Sequence, residues 1–471
     1  MDTASFRKHG HEFIDWLADY FENIEQYPVK PVVQPGDILK RLPKGPPRQG
    51  EPMDAIFQDF QRDILPGITH WQHPGWFAYF PANNSPESVL AELLTAGLGA
   101  QCMIWQTSPA AAELEEQVMD WLRQMIGLPA GYQGVIQDTA STATLCALLS
   151  AREVATGFQT NQSGFSKKLA VYASAETHSS IEKGVKIAGY GKEYLRMITT
   201  GDDFAMDPGK LEEAIRKDLG QGVVPACVVA TLGTTSSMAM DPVQEIAAIC
   251  KKYNVWLHVD AAFAGTAAVV PELAGFMQGV EAADSLVFNP HKWMLVNFDC
   301  SAYFVKDAGL LIRTFEIHPE YLKTAADQQV KNYRDWGVQL GRRFRALKLW
   351  FVIRSYGVEG IQTMVREHVR LAALFAQWIR DDNRFEILAP VNLSLVCFRY
   401  NPGEMDEDQL TAMNKTILEE VNRDGRVFLT HTSLKGRYTI RLSVGQRTTS
   451  ETQVNTVWEL LQQAAGKNSA R

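Results

Sequence analysis

Cysteine is scarce in this sequence. Cys102, Cys146, Cys227, Cys250, Cys300 and Cys397 are spread over 471 residues without a C-x-x-C pair. That spacing argues against a zinc ribbon and against a disulfide framework, and it suits reduced thiols in the cytoplasm. A surplus of one charge is also missing. Lys plus Arg total 46 against 54 for Asp plus Glu, a net −8, so no basic field draws in nucleic acid. Long apolar runs are lacking too: Gln221 to Met240 is free of charge but broken by Gly, Pro, Thr and Ser. Such a segment would strand polar groups in lipid, and no membrane span is expected. The first residues, MDTASFRKHGHEFIDWLADYFENIE, are amphipathic and rich in acids, resembling neither a signal nor a transit peptide. No internal repeat or low-complexity tract is visible. His70 and His73 flank Trp71 with no third ligand nearby in sequence, so no metal site is expected.

Apolar residues, in contrast, make up 46% of the chain, enough at this length to fill two or three domains. Phe6, Phe13, Ile14, Leu17 and Phe21 recur at helical spacing and predict a helix from Phe6 to Ile24, stopped by Pro28. The Pro-rich stretch Pro28 to Pro52 reads as an extended arm. A helix and an arm ahead of any strand cannot enclose a core alone, so residues 1–84 are expected to pack on a partner subunit. Beyond Pro86, helical patterns alternate with short apolar runs at Leu169–Ala173, Ala226–Thr231, Val255–Val259 and Ser285–Phe288. Strand–helix–strand alternation implies an α/β domain over 85–348, with a mainly parallel sheet and helices on both faces. In 349–471, long helical patterns (Ile361–Ile379, Asp406–Arg423) mix with alternating strands at Ser394–Tyr400 and Arg437–Ser443. That mixture predicts a smaller α+β domain.

The chemistry concentrates where those strands end. Asn289-Pro290-His291-Lys292-Trp293 follows the run Ser285–Phe288, which puts Lys292 where ligands bind in doubly wound sheets. Lysine forms Schiff bases with carbonyl compounds, although a single lysine after a strand is more often a surface residue. Asp260, in His258-Val259-Asp260-Ala261-Ala262, ends another apolar run, and a carboxylate there needs a cationic partner. The pyridinium nitrogen of pyridoxal 5′-phosphate (PLP) is such a partner, and Ala262 is small enough to lie flat under its ring. Gly134–Gln137 reads as a short strand leading to the hydroxyls of Thr139 and Ser141, which open a helix over Thr142–Ala155. That helix start is an ordinary N-cap or a cradle for a phosphate dianion. His178 follows Leu169–Ala173 and is either a satisfied structural histidine, the commoner case for a lone His, or a group that could stack on the ring and handle protons near the substrate carboxylate. The Thr231–Ser236 turn offers a hydroxyl to the ring's 3′ oxygen.

Taken together, His178 with its SS-x-EK tail, TLGTT from Thr231, HVDAAFAG from His258 and NPHKW-x-L-VNFDCSA from Asn289 resemble the group II PLP-dependent decarboxylases. ITHWQHPGWFAYFP (68–81), SPAAAELE (108–115) and LGRRFRALKLW (340–350) resemble that family's aromatic-L-amino-acid branch, the dopa, tyrosine and tryptophan decarboxylases. The resemblance runs nearly end to end. It implies a PLP-dependent transferase fold of type I, with a seven-stranded-type sheet in a homodimer whose active site lies at the subunit interface. It implies that Lys292 is the Schiff-base lysine, Asp260 the pyridinium partner and His178 the stacking histidine. Thr139, Ala140, Ser141, Thr235, Ala262, Asn289 and His291 then contact the cofactor. Tyr321 matches the tyrosine that protonates the carbanion; relatives with phenylalanine there act as oxygen-consuming aldehyde synthases. Trp71, Tyr79, Phe80, Pro81 and Ala82 are implied to line the substrate pocket. Gln101 and Met103 are implied walls from the neighbouring subunit, where animal enzymes carry Ile and Phe. Gly341, where some tyrosine-selective plant relatives have serine, leaves room for an indole. The expected activity is conversion of tryptophan, tyrosine, dopa or phenylalanine to an arylalkylamine and CO2. Aldehyde synthase, glutamate-type decarboxylase, transaminase and non-catalytic PLP carrier are the alternatives.

Overall fold

The computed structural model describes residues 1–317 and 329–469. Its centre is a seven-stranded sheet built from β1 (Gln133–Gln137), β2 (Leu169–Ser174), β3 (Leu195–Ile198), β4 (Val224–Thr231), β5 (Trp256–Asp260), β6 (Ser285–Phe288) and β7 (Ser301–Val305). The spatial order is β1-β7-β6-β5-β4-β2-β3. Only β7 runs against the rest, pairing antiparallel with both β1 and β6. Every residue of β2, β5, β6 and β7 is buried. Helices therefore cover both faces, as expected for strands that read as unbroken apolar runs. A second sheet, β8 (Phe385–Ile387), β9 (Leu395–Tyr400), β10 (Thr430–Leu434) and β11 (Arg437–Ser443), is antiparallel throughout. A 37-residue helix, Arg345–Asp381, joins the two and breaks at Gly357, whose φ of 63° and ψ of 174° only glycine adopts cheaply. Its first half packs in the main core and its second half in the C-terminal core. The boundary expected after residue 348 lies in the first turn of this helix, ahead of the break at Gly357.

The N-terminal helix runs from Thr3 to Glu22, capped by Asp2, and none of its residues is buried. Phe13 and Trp16 pack on Phe57 of the helix Met53–Asp59. The stretch expected to be extended carries a five-residue helix, Asp37–Arg41, entered through Gly36 at φ 92°. Among the described residues no helix is long and apolar enough to cross a membrane.

One close approach ties the N-terminal segment to the second sheet. Phe428 donates its N–H to the Gly75 carbonyl, and Phe77 donates to the Phe428 carbonyl. A Cβ at residue 75 would lie 2.0 Å from the Arg426 carbonyl oxygen, a backbone atom that cannot rotate away. Gly75→Ala is expected to destabilise the fold by about 1–3 kcal/mol or more through overpacking, read as a lowered Tm. An unchanged Tm would mean the two segments separate freely.

Candidate active site

Because six strands run one way, their carboxyl ends meet along one edge of the sheet. β5 and β6 are parallel neighbours, with Asp260 opposite Val287. Asp260 ends β5, and Lys292 follows β6 by four residues. Pro290 starts the short helix Pro290–Trp293 that carries the lysine, a position where its missing N–H costs nothing. The loops after β1, β2 and β4 reach the same edge. Together they enclose a cavity of about 240 Å3. Thr139, Ala140, Ser141, His178, Thr235, Asp260, Ala262, Asn289, His291 and Lys292 all line it, as does Phe80.

Burial lowers the Lys292 pKa below the usual lysine range, and the nearby Asp260 carboxylate partly opposes this. Burial thus shifts the amine toward its uncharged, nucleophilic form. Asp260 is 4% exposed, and its Oδ1 accepts the Ala262 N–H at 3.0 Å. Burial also lowers the His178 pKa, again against the pull of Asp260. The Ser180 N–H donates to His178 Nδ1 at 3.2 Å, so a neutral ring carries its proton on Nε2. His291 Nδ1 accepts the Cys300 N–H at 2.9 Å. Burial, with a smaller contribution from Lys292, pushes its pKa down to about 3, so this ring is neutral. The Asn289 carboxamide oxygen accepts from the Ser301 hydroxyl at 2.6 Å. Thr139 caps the 16-residue helix Ala140–Ala155, whose first-turn N–H groups have no intrahelical acceptor and suit an anion.

The remaining substrate candidates do not line this cavity within one chain. Trp71 packs in a three-ring cluster with Trp76 and Tyr79, whose ring centroids lie 4.1 and 5.9 Å away. Tyr79 is 52% exposed, Pro81 lies under Gly445, and the Ala82 carbonyl accepts from Gln72. Gln101 and Gly341 are exposed neighbours: Gln101 Oε1 accepts the Arg342 N–H, and a Cβ at 341 would lie 3.3 Å from Gln101 Nε2. The Met103 carbonyl accepts the Arg334 N–H. Tyr321 lies outside the described residues. Thr231 and Gly233, from the turn expected to offer a hydroxyl, line the cavity, and Ser180, Phe263 and Phe298 line it with no role expected from the sequence. Phe263 and Phe298 sit inside the quoted motifs, but nothing in their spacing marks them as walls.

The wall provides the groups a phosphorylated aldehyde on an aromatic, basic ring requires: an amine, a carboxylate and a helix N-terminus. That chemistry makes the chain an enzyme of the PLP type. Residues 35–401 match the family model described as the pyridoxal-dependent decarboxylase conserved domain, and the chain belongs to that family. It is 43% identical to tryptophan decarboxylase 2 of Oryza sativa subsp. japonica, over 99% of this chain and 96% of the relative. It is 42% identical to phenylacetaldehyde synthase of Arabidopsis thaliana, over 99% and 96%. The crystal structure of Catharanthus roseus tryptophan decarboxylase in complex with L-tryptophan superposes with a TM-score of 0.94 at 41% identity, covering 99% of each chain.

Proposed function

We propose that this protein removes the α-carboxylate from aromatic L-amino acids, tryptophan among them, releasing an arylalkylamine and CO2. The carrying observation is one cavity in which the Lys292 amine and the Asp260 carboxylate share an aromatic wall of Phe80, Phe263 and Phe298. Among the described lining residues Lys292 is the single Lys or Arg, and the aromatic wall suits an aryl side chain better than the distal carboxylate of glutamate. PLP, when bound, supplies an aldehyde for the amine and a protonated ring that takes up the electrons of the breaking Cα–carboxylate bond.

The chain's residues divide the remaining work. The Lys292 amine would hold the cofactor at the position that the substrate amine needs. Asp260 keeps a proton on the ring nitrogen by favouring its charged form. His178 would pack against the cofactor ring, with its Nε2–H available to the substrate carboxylate. The helix start at Thr139–Ser141 holds the phosphate, with Thr235, Ala262, Asn289 and His291 completing the cradle. Tyr321, by resemblance, delivers the proton to Cα. Trp71, Tyr79, Pro81, Ala82 and Gly341 wall the substrate side, completed in a homodimer by Gln101 and Met103 of the neighbouring subunit. Leu90, Leu93, Leu94 and Leu98 stand 47–67% exposed on the helix Pro86–Leu98, an apolar face that a second copy would cover. The six cysteines are buried and unpaired, which suits the reducing cytoplasm.

The likeness to phenylacetaldehyde synthase keeps oxidative chemistry as a second outcome. The deciding experiment incubates the purified, PLP-loaded protein under air with tryptophan, tyrosine, dopa, phenylalanine and glutamate, and identifies products by mass spectrometry. Amines from the aromatic substrates alone are expected. Aldehydes with peroxide would overturn the role given to Tyr321, and product from glutamate alone would overturn the pocket assignment. Tyr321→Phe is expected to cut amine formation by about 10²-fold or more, the contribution of a positioned proton donor; amine made at an unchanged rate would remove Tyr321 from the mechanism.

A further inference from the structure

Asn83 is 1% exposed, and its carboxamide is almost fully used. Nδ2 donates to the Lys292 carbonyl at 2.8 Å and to the Gly445 carbonyl at 2.6 Å. Oδ1 accepts the Arg447 N–H at 3.2 Å. The Asn83 N–H donates to the His291 carbonyl, also at 3.2 Å. Three of the four side-chain hydrogen bonds open to an asparagine are thus made, and they join segments more than 200 residues apart in sequence. A second connection reaches the same place from the next residue. The Trp293 indole N–H donates to His368 Nδ1 at 2.8 Å, and the Gln446 backbone hydrogen-bonds the same imidazole. Trp293 also stacks on Phe263 at 4.5 Å, and Phe263 on the cavity residue Phe80 at 4.2 Å, with interplanar angles of 5° and 2°. The main chain at Lys292–Trp293 is therefore held from two sides, and both anchors end on Gly445–Arg447.

We propose that Asn83 is a positioning residue for Lys292, fixing the main chain of the reactive lysine to the segment Gly445–Arg447 with the Trp293–His368 bond as its second anchor. This rests on Lys292 being the cofactor lysine. A lysine side chain has four rotatable bonds and orders poorly by itself. The depth of its amine in the cavity is then set by where its backbone is held. Displacing a reacting group by about 1 Å is enough to cost on the order of 10²-fold in rate, so the clamp acts on catalysis without touching substrate or cofactor.

The test uses the full-length, PLP-loaded protein and the variants Asn83→Ala and Asn83→Ser, the latter keeping one donor should the former fold poorly. Each is measured for cofactor occupancy, kcat and KM on the accepted aromatic substrate, and the pH titration of the visible absorbance of the lysine-bound cofactor. Occupancy near wild type, a kcat reduced roughly 10- to 100-fold with KM changed less than about 3-fold, and a displaced absorbance titration are expected, with the serine variant intermediate. A lower Tm with kcat and titration unchanged would make Asn83 scaffold only and overturn the proposal. Borohydride reduction and peptide mass analysis of the wild type separate the two premises. Cofactor mass absent from the Lys292 peptide overturns the lysine assignment and this inference with it. Cofactor mass on Lys292 with unaltered Asn83 variants overturns this inference alone.

Discussion

Replacing Lys292 by alanine is expected to lower kcat by on the order of 10³-fold or more, the scale on which positioned acid–base groups contribute. The amine occupies a place no other described side chain can take over. It lies 5.6 Å from the Phe80 ring centroid, and among the described residues it is the one lysine on the cavity wall. Without it the cofactor loses its covalent hold and the substrate amine loses a group to exchange with. Borohydride reduction should leave cofactor mass on the Lys292 peptide of the wild type and none on the variant. Because Lys292 lines the cavity and is not fully buried in the packed core, Tm should move by only a few degrees on its replacement by alanine. A variant that retains a tenth of the wild-type kcat would show that another group does the exchange.

The same lysine shows what a sequence makes legible. Ser285–Phe288 and Arg437–Ser443 coincide with β6 and β11, because apolar or alternating runs bounded by turn residues carry local information. Asp260 and Lys292 then fall at the ends of neighbouring strands. Adjacency followed from two strand ends carrying complementary chemistry, not from any pattern within either segment. The reversal at β7 left no comparable trace, since a buried strand reads the same in either direction. The Pro28–Pro52 stretch misled through composition: proline favours extended backbone, yet Gly36 starts a turn of helix there. Asn83 was illegible for a further reason. Its partners at 292, 445 and 447 are joined by single hydrogen bonds with no periodicity, and only the folded chain brings them together. Trp71, Tyr79, Gln101 and Gly341 mark another limit: their assignment came from resemblance, and one chain leaves them outside the cavity.

Asp260→Asn is expected to lower kcat by about 10²–10³-fold, the typical cost of removing one preorganised electrostatic partner. The substitution is nearly isosteric, and its Oδ1 can still accept the Ala262 N–H that now binds the carboxylate. What is lost is one negative charge at a position 4% exposed to solvent, where the low dielectric makes a charge count for more than it does in water. An uncharged amide has no reason to keep a proton on the ring nitrogen, so the ring becomes a poorer acceptor for the electrons that CO2 leaves behind. The Asp260 charge also raises the pKa values of His178 and Lys292 against the effect of burial. Its removal should therefore lower both: the protonated imidazole and ammonium each lose a stabilising neighbour, and the acidic limb of the pH–rate profile should move to lower pH. Both readouts, kcat at the optimum and the position of that limb, come from one set of rate measurements between about pH 5 and 9, a range spanning the ordinary imidazole pKa. A variant with kcat within twofold of wild type and an unmoved limb would show that Asp260 faces no cation, and the cofactor orientation built on it would have to be reversed.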